Sequence, residues 1–179
     1  MLKGEHVALR AIEPEDLQVL LEWRNRPEYR RFFREHRELS ADHQGRWYRE
    51  KTLDDPTTRM FVIIRLSDGA LLGACGLCYI NWIDRNADLS IYIGADGLYI
   101  DNLYAPDAAG ILIKYGFHEL GLHRIWTEIY SIDAAKQRFF AELGFSLDGR
   151  HRESHWTEGA WVDSLFYGLL AAEYFEAGR

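Results

Sequence analysis

The sequence predicts an α/β (α+β) fold with a mixed, mostly antiparallel central sheet of about seven strands and helices on both faces. Three observations carry that expectation. Two apolar runs, Met60 to Leu66 and Leu71 to Ile83, are joined by Ser67-Asp68-Gly69-Ala70, whose Asp-Gly pair is a strong hairpin signal. A third run, Ala87 to Ile93, follows at once, so neighbouring strands pair early. Strands and helices alternate thereafter, which lays helices across the sheet. The 179 residues, 47% hydrophobic and 27% charged, suit one domain over 1–179, because a chain of this size buries roughly 70% of the surface its unfolded form exposes.

His6 to Ile12 alternates apolar Val7, Leu9 and Ala11 with polar positions, as a half-buried strand does. Glu13-Pro14-Glu15-Asp16 then opens a helix that carries Leu17, Leu20, Leu21 and Trp23 and must stop by Pro27. A second helix starts after the N-cap Ser40 and runs through Trp47 towards Leu53, where Asp54-Asp55-Pro56 breaks it. The Ala87–Ile93 run places Leu89, Ile91 and Ile93 on one face and Asp88, Ser90 and Tyr92 on the other. After a loop from Gly94 to Ala105, Pro106-Asp107 opens a helix with a stripe at Ile111, Leu112, Tyr115 and Leu120, capped by Gly121. The remainder reads as strand (Arg124 to Tyr130), helix (Asp133 to Leu143) and two strands, Phe145 to His155 and Trp161 to Leu170, turning at Gly159.

No apolar stretch approaches the ~20 residues of a membrane span, and the start lacks an apolar signal core, so a cytoplasmic protein with no membrane partner is expected. Twenty-one basic against 28 acidic residues give a net charge of -7, which disfavours nucleic acid. The densest basic run, Arg24 to Arg37, is interleaved with Glu28 and Glu35 and reads as a solvated helical surface. Cys75 and Cys78 point to opposite faces of one strand and suit the core rather than a redox pair. His151, Glu153 and His155 share a strand face, but three such residues without a fourth ligand suit a polar sheet face better than a metal site, and none is expected.

The order of elements and several strings resemble the GCN5-related N-acetyltransferase (GNAT) superfamily, in particular the branch of the ribosomal-protein N-terminal acetyltransferases. The carriers are LRAIEPEDLQVLLEWRN, LLGACGL followed by ADLSIYI, IKYGFHELGLHRI, and AELGF before a strand pair ending DSLFYGLL. This resemblance spans nearly the whole chain. It implies a GNAT-like sheet, acetyl-CoA as co-substrate and acetyl transfer to a primary amine of a small molecule, an amino sugar or a peptide N-terminus. A homodimer is left open as the assembly.

The resemblance also implies a coenzyme site between the third strand and the helix near Pro106. There, a loop of Arg or Gln, two residues, Gly, one residue, then Gly or Ala wraps the pyrophosphate, and glycine lets main-chain N–H groups approach the anion. Counting back from Leu122-His123-Arg124 puts this pattern on Ile100, Asp101, Asn102, Leu103, Tyr104 and Ala105, where only the final small residue matches. Ile100 offers no polar head, Leu103 stands where glycine is usual, and Pro106 removes an N–H. Two readings stay open: a thinned cradle that still holds acetyl-CoA through Asp101 to Ala105, or a non-catalytic binding module that has lost the pyrophosphate site. Ile91 and Ile93 border the implied site through their backbone, and Asp133 stands where the family's next helix begins with Asn.

Acyl transfer from a thioester to an amine needs an oxyanion donor and a route for the proton of an ammonium whose solution pKa is about 10. By resemblance, Asp88 occupies the place of a catalytic acid, with strand solvation as the competing role. Glu128 is the second candidate base, with a cross-strand structural role competing. Tyr92 lies on the Asp88 face near the expected oxyanion donor, or packs in the core. A tyrosine that protonates the leaving thiolate in relatives is replaced here by Phe140. The acceptor pocket is expected from the first two helices and the final strand pair, with Glu22, Trp23, Arg24, Asn25, Tyr29, His43 and Trp47 as its candidate residues.

Overall fold

The computed structural model describes residues 1–178. Its strands are β1 (Leu2–Lys3), β2 (Val7–Ala11), β3 (Arg59–Arg65), β4 (Leu71–Asn81), β5 (Asn86–Ile93), β6 (Arg124–Tyr130), β7 (Ser146–Thr157) and β8 (Ala160–Leu170). They form one sheet in the order β1-β2-β3-β4-β5-β6-β8-β7. Every neighbouring pair is antiparallel except β5 and β6, which run parallel.

The sheet has eight strands rather than seven. The additional one, β1, is two residues long, too short to show any periodicity. It is tied down from afar: the Asp107 carboxylate accepts hydrogen bonds from the backbone N–H groups of Glu5, His6 and Val7 at 3.2, 2.7 and 2.9 Å. Gly4 permits this approach, since a Cβ there would lie 2.3 Å from an Asp107 oxygen.

Asp68-Gly69 does close the β3–β4 hairpin, with Gly69 in the left-handed region at φ 76° and the Asp68 carboxylate bonded to Arg65. β4 ends at Asn81 rather than Ile83, because the Asn81 side chain turns the chain by accepting from the N–H groups of Ile83 and Asp84.

Two apolar layers cover the sheet. Helices α1 (Leu17–Asn25), α2 (Pro27–Arg30) and α3 (Ala41–Trp47) belong to one face, where Leu20, Trp23 and Tyr29 pack with Val62, Ala74 and Tyr92. Helices α4 (Tyr104–Lys114), α5 (Ala134–Glu142) and α6 (Ala171–Glu176) supply the other, where Ala108, Leu112 and Phe140 meet Leu77, Leu89 and Ile91. The odd and even positions of β5 therefore sort between the two layers as their alternation requires.

Ser40 caps α3, its hydroxyl accepting from the His43 N–H. α4 opens at Tyr104, two residues before Pro106, because a side-chain carboxylate already caps its first turn. Pro106 falls third, within the turn whose N–H groups have no intrahelical partner, so its missing N–H costs nothing there. Both thiols are free, Cys75 buried and Cys78 half-buried, and burial pushes both pKa values up. Among the described residues no helix is long and apolar enough to cross a membrane.

Candidate active site

The site grows from the parallel pair. β5 and β6 are in register only over Asn86–Arg124, Ala87–Ile125 and Asp88–Trp126. Beyond that point β5 continues against β4 and β6 against β8, so the two strands diverge into a fork with Asp88 and Trp126 at its crotch. A slot between diverging strands exposes main-chain groups that a ligand with amide groups can satisfy.

Asp88 is only 2% exposed and stands beside Arg34, whose Nη1 donates to it at 2.6 Å. The Nε of the same guanidinium donates to Glu128 at 2.8 Å. Arg34 also lies 5.5 Å from the Tyr79 ring centroid and 5.9 Å from that of Trp126. One cation is thus held by two carboxylates and two aromatic faces. Burial pushes the Asp88 carboxyl above the ordinary range, with Arg34 opposing. Glu128 is partly buried too, but hydrogen bonds from Ser164 and Arg34 leave its carboxyl below the usual value. Arg34 itself is held charged by its two partners.

Arg34 was hidden in the sequence by its neighbours. The run Arg24 to Arg37 suggests a solvated helical surface, yet α2 ends at Arg30 and Arg34 turns inward to the fork. Around it Arg30 pairs with Glu38, Arg31 with Glu158 and Arg37 with Glu35. Phe32 stacks on Tyr99 and Phe33 tilts against Tyr92, at 5.1 and 5.4 Å between centroids, which seats the strap of residues 31–39 against the fork.

On the other side of the fork, the backbone N–H groups of Leu103, Tyr104 and Ala105 all donate to the Asp101 carboxylate, at 3.0, 2.8 and 2.8 Å. These are the amides at the start of α4 that face an anion, and an internal carboxylate holds them. A cavity of about 540 Å³ lies beside this turn. Ile100, Asp101, Asn102 and Pro106 form one wall, and Ala135, Arg138, Phe139 and Glu142 of α5 the other. The lining carries one cation, Arg138, against two carboxylates, Asp101 and Glu142.

Tyr99 closes the inner end of this loop. It is held in the left-handed region at φ 54°, is stacked on Tyr29 at 5.2 Å and donates its hydroxyl to Asp133 at 2.5 Å. Asp133 also caps α5, accepting from the Lys136 N–H at 3.0 Å. Ile91 and Ile93 bury their side chains in the core, which leaves only their backbone to border the fork. Tyr92 is buried with its hydroxyl unpartnered among the described residues, and burial pushes its pKa up to about 12.

The expected acceptor residues divide. Trp23 is buried beneath Gly94, where a Cβ would meet the indole ring at 2.0 Å. Arg24 lies over the Trp47 ring at 5.7 Å. Asn25 exchanges two hydrogen bonds with the backbone of Leu39 and so anchors the far end of the strap. His43 is engaged with the Ser40 cap, and Glu22 accepts from Gln18 on the exposed side of α1. Tyr29, buried and with its hydroxyl unpartnered among the described residues, is the member of the set that touches the Tyr99 wall. His151 and His155 pack their rings on Phe166 and Tyr130.

Comparison with known proteins matches residues 6–146 to the acetyltransferase (GNAT) domain model. The spermidine N(1)-acetyltransferase of Escherichia coli K12 is 25% identical over 175 residues, covering 97% of this chain and 91% of that protein. A ribosomal N-acetyltransferase-like protein of Bacillus subtilis is 28% identical over 182 residues, covering 96% and 94%. In fold, the crystal structure of spermidine N-acetyltransferase from Vibrio cholerae in complex with CoA and spermine superposes with a TM-score of 0.83 at 24% identity, covering 95% of this chain and 98% of that one.

Proposed function

Because the chain belongs to the GNAT acetyltransferase family, whose members transfer an acetyl group from acetyl-CoA to an amine, we propose that it works as one domain whose acceptor is an aliphatic polyamine seated at the β5–β6 fork. The observation that carries this reading is the seat of Arg34. Two carboxylates and two aromatic faces hold a cation there without help from any ligand. An ammonium group has the donors to replace the guanidinium, and a second positive charge matches the second carboxylate. The net charge of -7 favours the approach of such a ligand and disfavours nucleic acid.

In this reading the chain's own groups divide the work. Asp88 and Glu128 hold the ammonium after Arg34 swings out. Asp88 removes a proton, since a buried carboxylate with a raised pKa is a stronger base than an exposed one. Backbone N–H groups near Tyr92 stabilise the developing oxyanion. Acetyl-CoA supplies the activated acyl group. Its phosphates suit the first turn of α4 and Arg138, with Asp101 as the internal competitor. The likeness to a spermidine N(1)-acetyltransferase supports the same acceptor class, and self-association into a homodimer is part of the same reading.

The test is thiol release with acetyl-CoA over spermidine, glucosamine and a short peptide, in the wild type and in Arg34→Ala. Spermidine should be the preferred acceptor. Its KM should fall severalfold in the variant, because the internal competitor for the seat is gone. Preference for the sugar or the peptide, or an unchanged KM, overturns the polyamine assignment.

A further inference from the structure

Lys136 sits in the first turn of α5 with its Nζ 5.4 Å from the Tyr99 ring centroid and 5.8 Å from that of Phe33. Phe33 in turn lies on Tyr92 of β5. These contacts set the ammonium against the strap segment whose next residue, Arg34, bonds Asp88. The charges that face it are Asp133 from its own helix, Asp88 from β5 and Arg34 from the strap. No carboxylate forms an ion pair with it among the described residues. An ammonium packed against rings without a counter-ion is costly, and such a group is retained where its charge or its proton has work.

We propose that Lys136 is the acid that protonates the sulfur leaving the acetyl thioester. The inference rests on the acetyl-transfer reading above. The acceptor nitrogen forms a bond to the carbonyl carbon, the carbon–sulfur bond breaks with its electron pair on sulfur, and Lys136 Nζ gives that sulfur a proton. The acceptor begins as an ammonium and ends as an amide, so it sheds two protons. Asp88 takes the first and passes it to solvent. The second leaves the nitrogen as the amide forms and replaces the one Lys136 has spent.

Other groups near the fork serve less well. Arg34 does not release protons, and the Tyr99 hydroxyl is committed to Asp133. The Tyr92 phenol, pushed up to about 12 by burial, is a far weaker acid than a thiol of ordinary pKa near 8.5. Burial moves Lys136 the other way, down towards the thiol.

The direct readout is the ultraviolet titration of the thiolate of coenzyme A bound to the whole chain. In the wild type the bound thiol should titrate about one pKa unit or more below free coenzyme A, because the ammonium favours the thiolate. In Lys136→Met that shift should vanish. Lys136→Arg should keep it, since the charge remains, yet lose turnover on the order of 10²-fold, since the proton donor is gone. Equal thiol titrations in wild type and Lys136→Met overturn the role while leaving acetyl transfer intact. Failure of coenzyme A to bind overturns both.

Stability provides an independent check. A lysine whose folded pKa is lowered binds its proton more weakly in the native state, so wild-type stability rises with pH between the folded and the ordinary lysine value. Lys136→Met should melt higher than the wild type at neutral pH, and the gap should close as pH climbs through that window. A gap independent of pH contradicts a desolvated ammonium.

Discussion

Asp88 is where residue-scale physics says most about catalysis. Its carboxylate is buried, it marks the last rung of the β5–β6 ladder, and Arg34 neutralises it at 2.6 Å. Asp88→Asn keeps the shape and removes the base, so kcat should fall on the order of 10²-fold with coenzyme affinity nearly unchanged. In the wild type the rate should rise with pH through a value above the ordinary carboxylate range, because burial raises the Asp88 pKa and only the ionised form takes a proton. Steady-state kinetics across pH check both statements, and an unchanged turnover in the variant moves the role to Glu128. Asp88 enters as a candidate only through the family resemblance, and the structure adds its burial and its bond to Arg34. That partner was not legible, because a lone arginine in a basic run carries no signal of which way it faces.

At the scale of elements, the turn into α4 departs furthest from expectation. A loop reaching Ala105 with Ile100 and Leu103 in unfavourable places suggests a depleted cradle. The structure shows a turn rebuilt around Asp101, which caps three amides and starts the helix at Tyr104. The side chain of Leu103 is half exposed and its backbone lies at negative φ, so glycine there adds flexibility without relieving any left-handed strain. Asp101→Asn is the more informative change. It keeps a capping oxygen while removing the negative charge beside the incoming phosphates, so acetyl-CoA should bind about tenfold more tightly at a cost near 1 kcal/mol in stability. Calorimetry and a thermal melt separate this outcome from a collapsed loop, which would weaken binding and lower Tm together. Strands and long helices are readable because a short period, 2 or 3.6 residues, repeats several times along each run. A cap supplied by a side chain three residues upstream leaves no periodicity to read.

For the whole molecule, a mixed sheet with helices on both faces is legible from alternation, the Asp-Gly hairpin and the helix stripes, whereas the strand order, with β8 between β6 and β7, is not. The fork followed only indirectly, since no local pattern announces where two parallel strands part. Tertiary pairing decides it: β6 turns to follow β8 over seven residues while β5 follows β4. That divergence brings Asp88, Glu128, Arg34 and Lys136 together from β5, β6, the strap and α5. The function therefore depends on whether the coenzyme enters this fork at all, against an anion site already capped from within. Titration calorimetry of the whole chain with acetyl-CoA is the most direct measurement. Saturable binding at or below millimolar concentration, weakened by salt as phosphate contacts require, is the predicted result. No heat of binding at millimolar acetyl-CoA would contradict the enzyme and leave a binding module in its place.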